Sequence, residues 1–398
     1  MIIPNYPQLA GGSGDQTVLG QTVKGLEKEH DLRVLILSDK DKEIKMKTKT
    51  NCFRTIIYDH NVSHIEPINN YFSKIRSWYR QLLFLKFMSD FIFSKVKHDI
   101  DKSIIQFKPD IVYFEQTGYP MFHWIDTFTK NNDIKFFIRV HDSFSLNMRH
   151  RLSTFKKYNF QLVKYYLRYL FYFFYEKQYL KKWDSVLTLT ETEKKFYGKN
   201  YNFKTPIKVT KTGVDTDYFN IDKANKRDID IIYTGTMGWK PNVENVVWFS
   251  NVVLPILINY NRDIKFYIVG LNPSKEVLNL NSENIIVTGA VEDIRDYVKR
   301  AKVSFILGFS GSGKKIKIME LMSMGIPLIC EKNVLHGYDE KHVEGAIIID
   351  KKDPEKIADM INLLLTDKKY LNQKSKKMRT NAKLFFNFKN IGYKNYFN

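Results

Sequence analysis

Short apolar runs separated by helix-length segments recur along the chain, and that rhythm leaves few folds open. Leu32–Leu37, Ile111–Phe114, Lys135–Val140 and Ser185–Thr190 read as strands, with helical stretches such as Asp15–Glu29 and Tyr71–Lys97 between them. A second series follows Ile207. Its strands are expected at Ile229–Thr234, Lys265–Val269, Ile285–Thr288, Val303–Leu307, Pro327–Ile329 and Ala346–Ile349. Its helices are expected at Asn242–Tyr260, Val291–Ala301, Lys314–Met324 and Pro354–Leu365. Regular strand–helix alternation means parallel sheets covered by helices on both faces. Two such series predict an α/β protein of two doubly wound, Rossmann-like domains, and 398 residues suffice for two cores. The polar stretch Tyr201–Phe219, around Pro206 and Gly213, is the expected join. The expected domains are therefore residues 1–204 and 205–375, with a C-terminal helix over 376–398 crossing back to the first. In such sheets ligands bind beyond the carboxyl ends of the strands, so chemistry is sought in strand-to-helix turns.

Composition excludes several alternatives. Cys52 and Cys330 are the only cysteines and lie far apart in sequence, which rules out a disulfide framework and a cysteine zinc site. Met1-Ile2-Ile3-Pro4 lacks the basic and apolar regions of a signal peptide. The most apolar stretches, Leu82–Phe93 and Tyr165–Tyr175, contain Lys86, Asp90 and Arg168, so no membrane-spanning helix is expected. Charge is the unusual quantity. The 63 Lys and Arg against 43 Asp and Glu give +20, with 15% aromatic residues. Such a chain suits a polyanionic partner: nucleic acid, an anionic membrane or a phosphate-bearing ligand. A coding bias toward Lys, Asn, Ile, Phe and Tyr accounts for part of the excess.

Three turns stand out. Gly11-Gly12-Ser13-Gly14 opens a helix, where glycines let backbone approach a ligand and free N–H groups attract anions. Tyr233-Thr234-Gly235-Thr236-Met237 ends a strand, and Pro241-Asn242 starts a helix. The third, Gly308 to Glu320, is the strongest. It nearly matches a P-loop, but Lys315 stands where the magnesium-binding hydroxyl belongs. Its glycine N–H groups, helix start, Lys314, Lys315 and Lys317 still favour phosphate. Lys317 and Glu320, three apart, share a helix face, and a cation for phosphate beside an acid for ribose hydroxyls makes a nucleotide-diphosphate reader. The bland alternative is a surface ion pair worth about 0.3 kcal/mol.

The run Gly311-Ser312-Gly313 through Lys317, Glu320, Gly325 and Pro327 resembles the signature helix of GT-B glycosyltransferases of family 4, in the bacterial polysaccharide branch with a GSG-x-K-x-K-x-x-E pattern. Thr234-Gly235-Thr236-Met237 with Pro241-Asn242, Thr288-Gly289-Ala290-Val291 and Thr212-Gly213-Val214-Asp215 are similar to the same branch. Gly11–Gly14 and Arg139-Val140-His141-Asp142 fit more loosely. The resemblance implies two domains facing a central cleft. It implies sugar transfer from a nucleotide-diphosphate sugar with retention of configuration, no catalytic metal and no cofactor beyond the donor. It places Lys315 and Lys317 at the diphosphate with Gly311, Ser312, Gly313 and Lys314, Glu320 at the ribose, Gly289 and Val291 near the base, and His141 by the reacting sugar. Gly12 would approach the phosphates or the acceptor, and Gly235 and Thr236 would line the donor site. The sequence departs from the family twice. Ser312 stands where many members carry a second acid, and Thr236 and Pro241 stand where many carry Arg and Lys.

Asp215-Thr216-Asp217 and Asp228-Ile229-Asp230 spell D-x-D, but a linker and a strand start are poor places for a metal. His60 and His64 read as surface. Between Arg149 and Trp183 basic residues far outnumber the single acid, Glu176, and residues 171–175 are all aromatic. That mixture suits peripheral contact with an anionic membrane, at about 1 kcal/mol per Lys or Arg near the lipid. A core helix with its aromatic residues packed inside is the alternative. The expected setting is the cytoplasm, at the inner face of the cell membrane, with a saccharide or lipid-linked acceptor. The rival classes are a nucleic-acid-binding protein, for which no module motif is present, and a GT-B-like sugar-nucleotide epimerase, which calls for more acids than the turns carry.

Overall fold

The computed structural model describes residues 1–3, 14–38, 53–57, 96–116, 122–128, 133–153, 155, 160–202, 204–221, 227–308, 313–350 and 352–397. Gly12, Gly311, Ser312, Cys52, His60, His64 and nearly all of Tyr71–Lys97 lie outside them. The chain divides into two compact units. The first is built on Thr22–Lys211 and includes the start of the chain and residues 392–397. The second is built on Thr212–Ile391 and includes residues 14–21.

The first unit carries β1 (Ile2–Ile3), β2 (Val34–Ser38), β3 (Phe53–Ile57), β4 (Ile111–Gln116), β5 (Lys135–Val140), β6 (Ser185–Thr188) and β7 (Ile207–Val209). They form one parallel sheet in the order β3-β2-β1-β4-β5-β6-β7. Its helices are α1 (Gly14–Leu26), which the chain shares between the units, α2 (Phe144–Ser153), α3 (Phe160–Leu180) and α4 (Glu191–Tyr201). Phe114, Ile138 and Val186 from the sheet pack with Trp124, Tyr175 and Trp183 in one core.

The second unit carries β8 (Ile229–Thr234), β9 (Phe266–Val269), β10 (Ile285–Gly289), β11 (Ala301–Ile306), β12 (Leu328–Glu331) and β13 (Ile347–Ile349). Its sheet is parallel, in the order β10-β9-β8-β11-β12-β13. That is the doubly wound order, with a switch point between β8 and β11. The central strands β8, β9 and β11 are mainly apolar because both faces are largely buried. Val303 and Phe305 of β11 enter one core, and Ile306 enters the other. The main helices are α5 (Lys240–Trp248), α6 (Leu254–Tyr260), α7 (Ile316–Ser323), α8 (Pro354–Thr366) and α9 (Lys368–Asn381).

Three expected helices differ. Asn242–Tyr260 is not uniform: a π turn at Phe249–Val253 separates α5 from α6, because Pro255 has no N–H to donate back into the previous turn. By length and apolarity this composite helix could cross a membrane, but Val246, Phe249, Val253 and Leu257 are spent on the core. Val291–Ala301 shrinks to one turn at Arg295–Val298, and Ala301 already pairs with Ile229 in the sheet. Residues 376–398 are not one helix. The helix α9 ends at Asn381, and Phe386 and Phe388 then exchange backbone hydrogen bonds with Val214 (2.7 and 3.0 Å), which pulls the chain out of helical geometry.

Candidate functional site

At the carboxyl end of β8 the chain turns sharply at Gly235, whose φ of +150° favours glycine. The turn is crowded. A Cβ on Gly270, after β9, would lie 1.7 Å from the Gly235 carbonyl oxygen, and one on Gly235 would lie 3.0 Å from the Lys317 ammonium. Backbone packing therefore explains these glycines before any ligand is invoked. Pro241 near the start of α5 cannot donate a backbone hydrogen bond, which suits a helix beginning.

The other side of the switch point is β11 and α7. Lys317 lies in the first turn of α7. Its Nζ donates to the Thr234 carbonyl (2.8 Å) and to Asn242 Oδ1 (2.9 Å), lies 3.5 Å from the Tyr233 hydroxyl, and sits over the Tyr233 ring. Glu320, one turn on, has no hydrogen-bond or ion-pair partner among the described residues. The surface ion pair, the alternative reading of Lys317 and Glu320, is not made. Both side chains keep some exposure, yet their charged ends are deep enough for burial to dominate. Burial pushes Lys317 down to about 7, with Lys315 adding to the fall and Glu320 opposing it. Burial pushes Glu320 up to about 7, opposed by Lys317. A cation and an acid that both titrate near neutrality, beside a glycine-rich turn, form the kind of cluster that marks a site.

The remaining residues of this cluster divide. The Lys315 Nζ folds back onto the Gly313 carbonyl at 2.5 Å, and Tyr338 donates to the Lys315 carbonyl at 2.7 Å. Lys314 lies over the rings of Tyr338 and Phe386, away from the switch point. Thr236 accepts at its carbonyl from Asn242 Nδ2 (3.0 Å). Gly289 ends β10 at φ +68° with open space around it, while Val291 packs against the core. Gly12, Gly311 and Ser312 lie outside the described residues. Both D-x-D runs are engaged locally. Asp215 caps a turn at the Asp217 and Tyr218 amides, Asp217 pairs with Lys389, Asp228 with Arg300 and Asp230 with Lys302.

The first unit has its own cluster at the carboxyl ends of β4 and β5. The register sets Glu115 opposite Arg139. Glu115 Oε1 accepts from Arg139 (3.2 Å) and the Tyr113 hydroxyl (2.8 Å), and Oε2 meets His141 Nε2 at 2.6 Å. Arg139 also donates to Thr22 (2.7 Å). Burial alone would raise the Glu115 carboxyl, but Arg139 and His141 outweigh it and hold the group below its ordinary value. His141 is thus a buried ring (4% exposed) fixed by a carboxylate.

Sequence reasoning missed Glu115, and it placed Tyr233 and Asn242 at the turn after β8 without giving either a role of its own. A lone acid in the apolar run Ile111–Gln116, next to a strand with a lone Arg near its carboxyl end, was the available signal for Glu115.

Comparison with known proteins gives the family and the fold. The family profile described as Glycosyltransferase Family 4 matches residues 13–218, and that described as Glycosyl transferases group 1 matches residues 228–367. Sucrose-phosphate synthase from Thermosynechococcus elongatus is structurally similar, with a TM-score of 0.68 at 13% identity over 99% of this chain and 96% of that one. Anabaena Alr3699/HepE in complex with UDP-glucose gives 0.61 at 12% identity over 99% and 97%. WaaG, a glycosyltransferase involved in lipopolysaccharide biosynthesis, gives 0.59 at 10% identity over 97% and 96%. In sequence, an uncharacterized 44.6 kDa protein in the cps region of Klebsiella pneumoniae is 22% identical over 139 residues, 33% of this chain. The match spans 36% of that relative's length. The two parallel doubly wound sheets are those of the GT-B glycosyltransferases. The chain belongs to glycosyltransferase family 4, whose profile covers more than half of it.

Proposed function

We propose that this protein transfers a sugar, with retention of configuration, from a nucleoside-diphosphate sugar to a saccharide or lipid-linked saccharide acceptor in the assembly of a bacterial surface polysaccharide. The observation that carries the reading is the Lys317–Glu320 pair on one face of α7 at the switch point, where a cation and an acid stand one turn apart. Lys317 and Lys315 neutralise the leaving diphosphate together with the amide groups at the start of α7, which is fixed electrostatic stabilisation of developing charge. Glu320 accepts from the ribose hydroxyls. His141, held by Glu115, lies by the reacting sugar. No resident metal or cofactor enters this reading; the donor is a co-substrate. The UDP-glucose complex of Alr3699/HepE and the cps-region relative support, respectively, a UDP-sugar donor and a polysaccharide setting. A cytoplasmic setting against the membrane follows from the acceptor class and from the basic, aromatic surface of α3.

Titration with UDP, GDP and short single-stranded DNA tests the reading. Micromolar-to-millimolar binding of a nucleoside diphosphate is expected, weakened about tenfold or more by Lys317→Ala and by Glu320→Ala, since each removes a hydrogen bond involving a charged group. Binding of DNA with no binding of either nucleotide would show a nucleic-acid-binding protein instead.

A further inference from the structure

We propose that Asn242 is a positioning residue for Lys317, fixing its ammonium at the switch point so that the cation meets the ligand's diphosphate already in place. The inference rests on the reading of the second unit as the nucleotide-sugar site and deepens it.

Asn242 is buried and makes three hydrogen bonds that together define its orientation. Its Oδ1 accepts from the Tyr233 hydroxyl (2.8 Å) and from Lys317 Nζ (2.9 Å), and its Nδ2 donates to the Thr236 carbonyl (3.0 Å). An amide is the side chain that can both accept from an ammonium and donate to a carbonyl at this spacing. The Lys317 ammonium is thereby held by the Asn242 carboxamide, the Thr234 carbonyl and the Tyr233 ring. A free lysine side chain carries about 2 kcal/mol of rotamer entropy, and one already ordered loses little more when it meets an anion. The sequence places Thr236 and Pro241, which carry no charge, in the first turn of this unit. The work of presenting a cation at β8 therefore passes to Lys317 of α7, reached through Asn242 of α5.

A purely architectural Asn242 would hold the Thr236 turn and nothing else. Asn242→Asp keeps the size and the Oδ1 acceptor, loses the Nδ2 donor to the Thr236 carbonyl, and sets a carboxylate against Lys317 that competes with the diphosphate. Loss of the turn bond alone leaves the lysine's titration in place, so the pH profile separates the two roles. The wild-type protein should bind nucleotide less tightly as pH rises through about 7, because Lys317 loses its proton there. The charged or titratable groups facing it are Glu320, Lys315 and Tyr233. Glu320 titrates over the same interval.

Calorimetric titration of the full-length protein with UDP and with GDP, across neutral and alkaline pH, provides the test. Asn242→Asp should weaken binding about tenfold or more, the scale of one charge-assisted hydrogen bond. It should also move the lysine part of the pH-dependent fall to higher pH. Tyr233→Phe, which keeps the ring but removes the hydroxyl near Lys317 Nζ and the donor to Asn242, should weaken binding by less and move the fall slightly to lower pH, and it serves if the aspartate variant does not fold. Wild-type affinity and an unchanged pH profile in either folded variant overturn the positioning role. A wild-type protein that binds neither nucleotide overturns the underlying site assignment, and the proposal with it.

Discussion

Glu115 gives His141 its setting. The carboxylate accepts from Tyr113 and Arg139 on one oxygen and meets His141 on the other, so the ring's orientation is fixed within the first unit. A histidine so fixed suits contact with a reacting group better than a mobile one. His141→Ala should therefore leave nucleotide binding intact and lower turnover at least about 10²-fold, the low end for a positioned acid–base group. Nucleoside diphosphate released from a panel of nucleotide sugars is the readout, and near-normal release removes His141 from the site. Lys317 and Glu320 were readable because their spacing alone fixes a shared helix face. Lys314 was not. Its neighbours in sequence suggest phosphate, but Tyr338 and Phe386 come from elsewhere in the fold and attract the ammonium to their rings. Asn242 and Tyr233 gain meaning only once β8, α5 and α7 converge.

α3 buries Tyr172, Tyr175, Glu176 and Leu180 but leaves Phe160, Val163 and Phe174 exposed, so the aromatic run is shared between core and surface. The same helix carries Lys164, Arg168 and Lys177. If this surface meets lipid, the protein should pellet with vesicles rich in anionic lipid at low salt, and Phe160→Ser with Phe174→Ser should reduce the bound fraction several-fold. Failure of the wild type to pellet sinks the membrane contact.

α4 opens with a capping box in which the Thr190 hydroxyl accepts from the Glu193 amide (3.1 Å) and donates to the Glu193 carboxyl (3.0 Å). The fully buried Glu193 also accepts from the Ser143 amide (3.2 Å), two residues beyond His141. Burial, with Asp142 nearby, pushes it up to about 8. A carboxyl raised on folding binds more protons in the folded state between about 4.3 and 8, so its contribution to stability fades as pH rises through that window. Glu193→Gln should flatten the decline in Tm across it. An unchanged pH dependence assigns the decline to other groups.

At the scale of the molecule, two sheets repeat one strand order. That order was legible in broad outline because apolar strands and their crossovers leave a strong periodic trace. The elements misjudged were those decided by distant contacts. Ala301 joined β11 because Ile229 offered it a partner, and the chain after Asn381 gave up helix for a bridge to Val214. Nor does the +20 charge act as one field. Lys302, Arg300 and Lys389 are spent on ion pairs, Lys317 sits at the switch point, and α3 exposes Lys177 along with Phe160 and Phe174. The end of the chain belongs to the first unit. Tyr396 donates to the Lys211 carbonyl (2.6 Å) and lies by Arg139, and Phe397 meets the rings of His30, Tyr113 and Phe137. Deleting residues 392–398 should lower the melting temperature of the first unit by several degrees while UDP or GDP binding by the second persists. Equal loss in both would show that the segment supports the whole molecule.

That placement has a consequence for biogenesis. A ribosome finishes the entire second unit before it makes Tyr396 and Phe397. The first unit, although begun earlier, waits for these ring contacts until residues 212–391 of the second have been made. Any chaperone that attends this chain must shelter an unfinished N-terminal half while its C-terminal half is already folding.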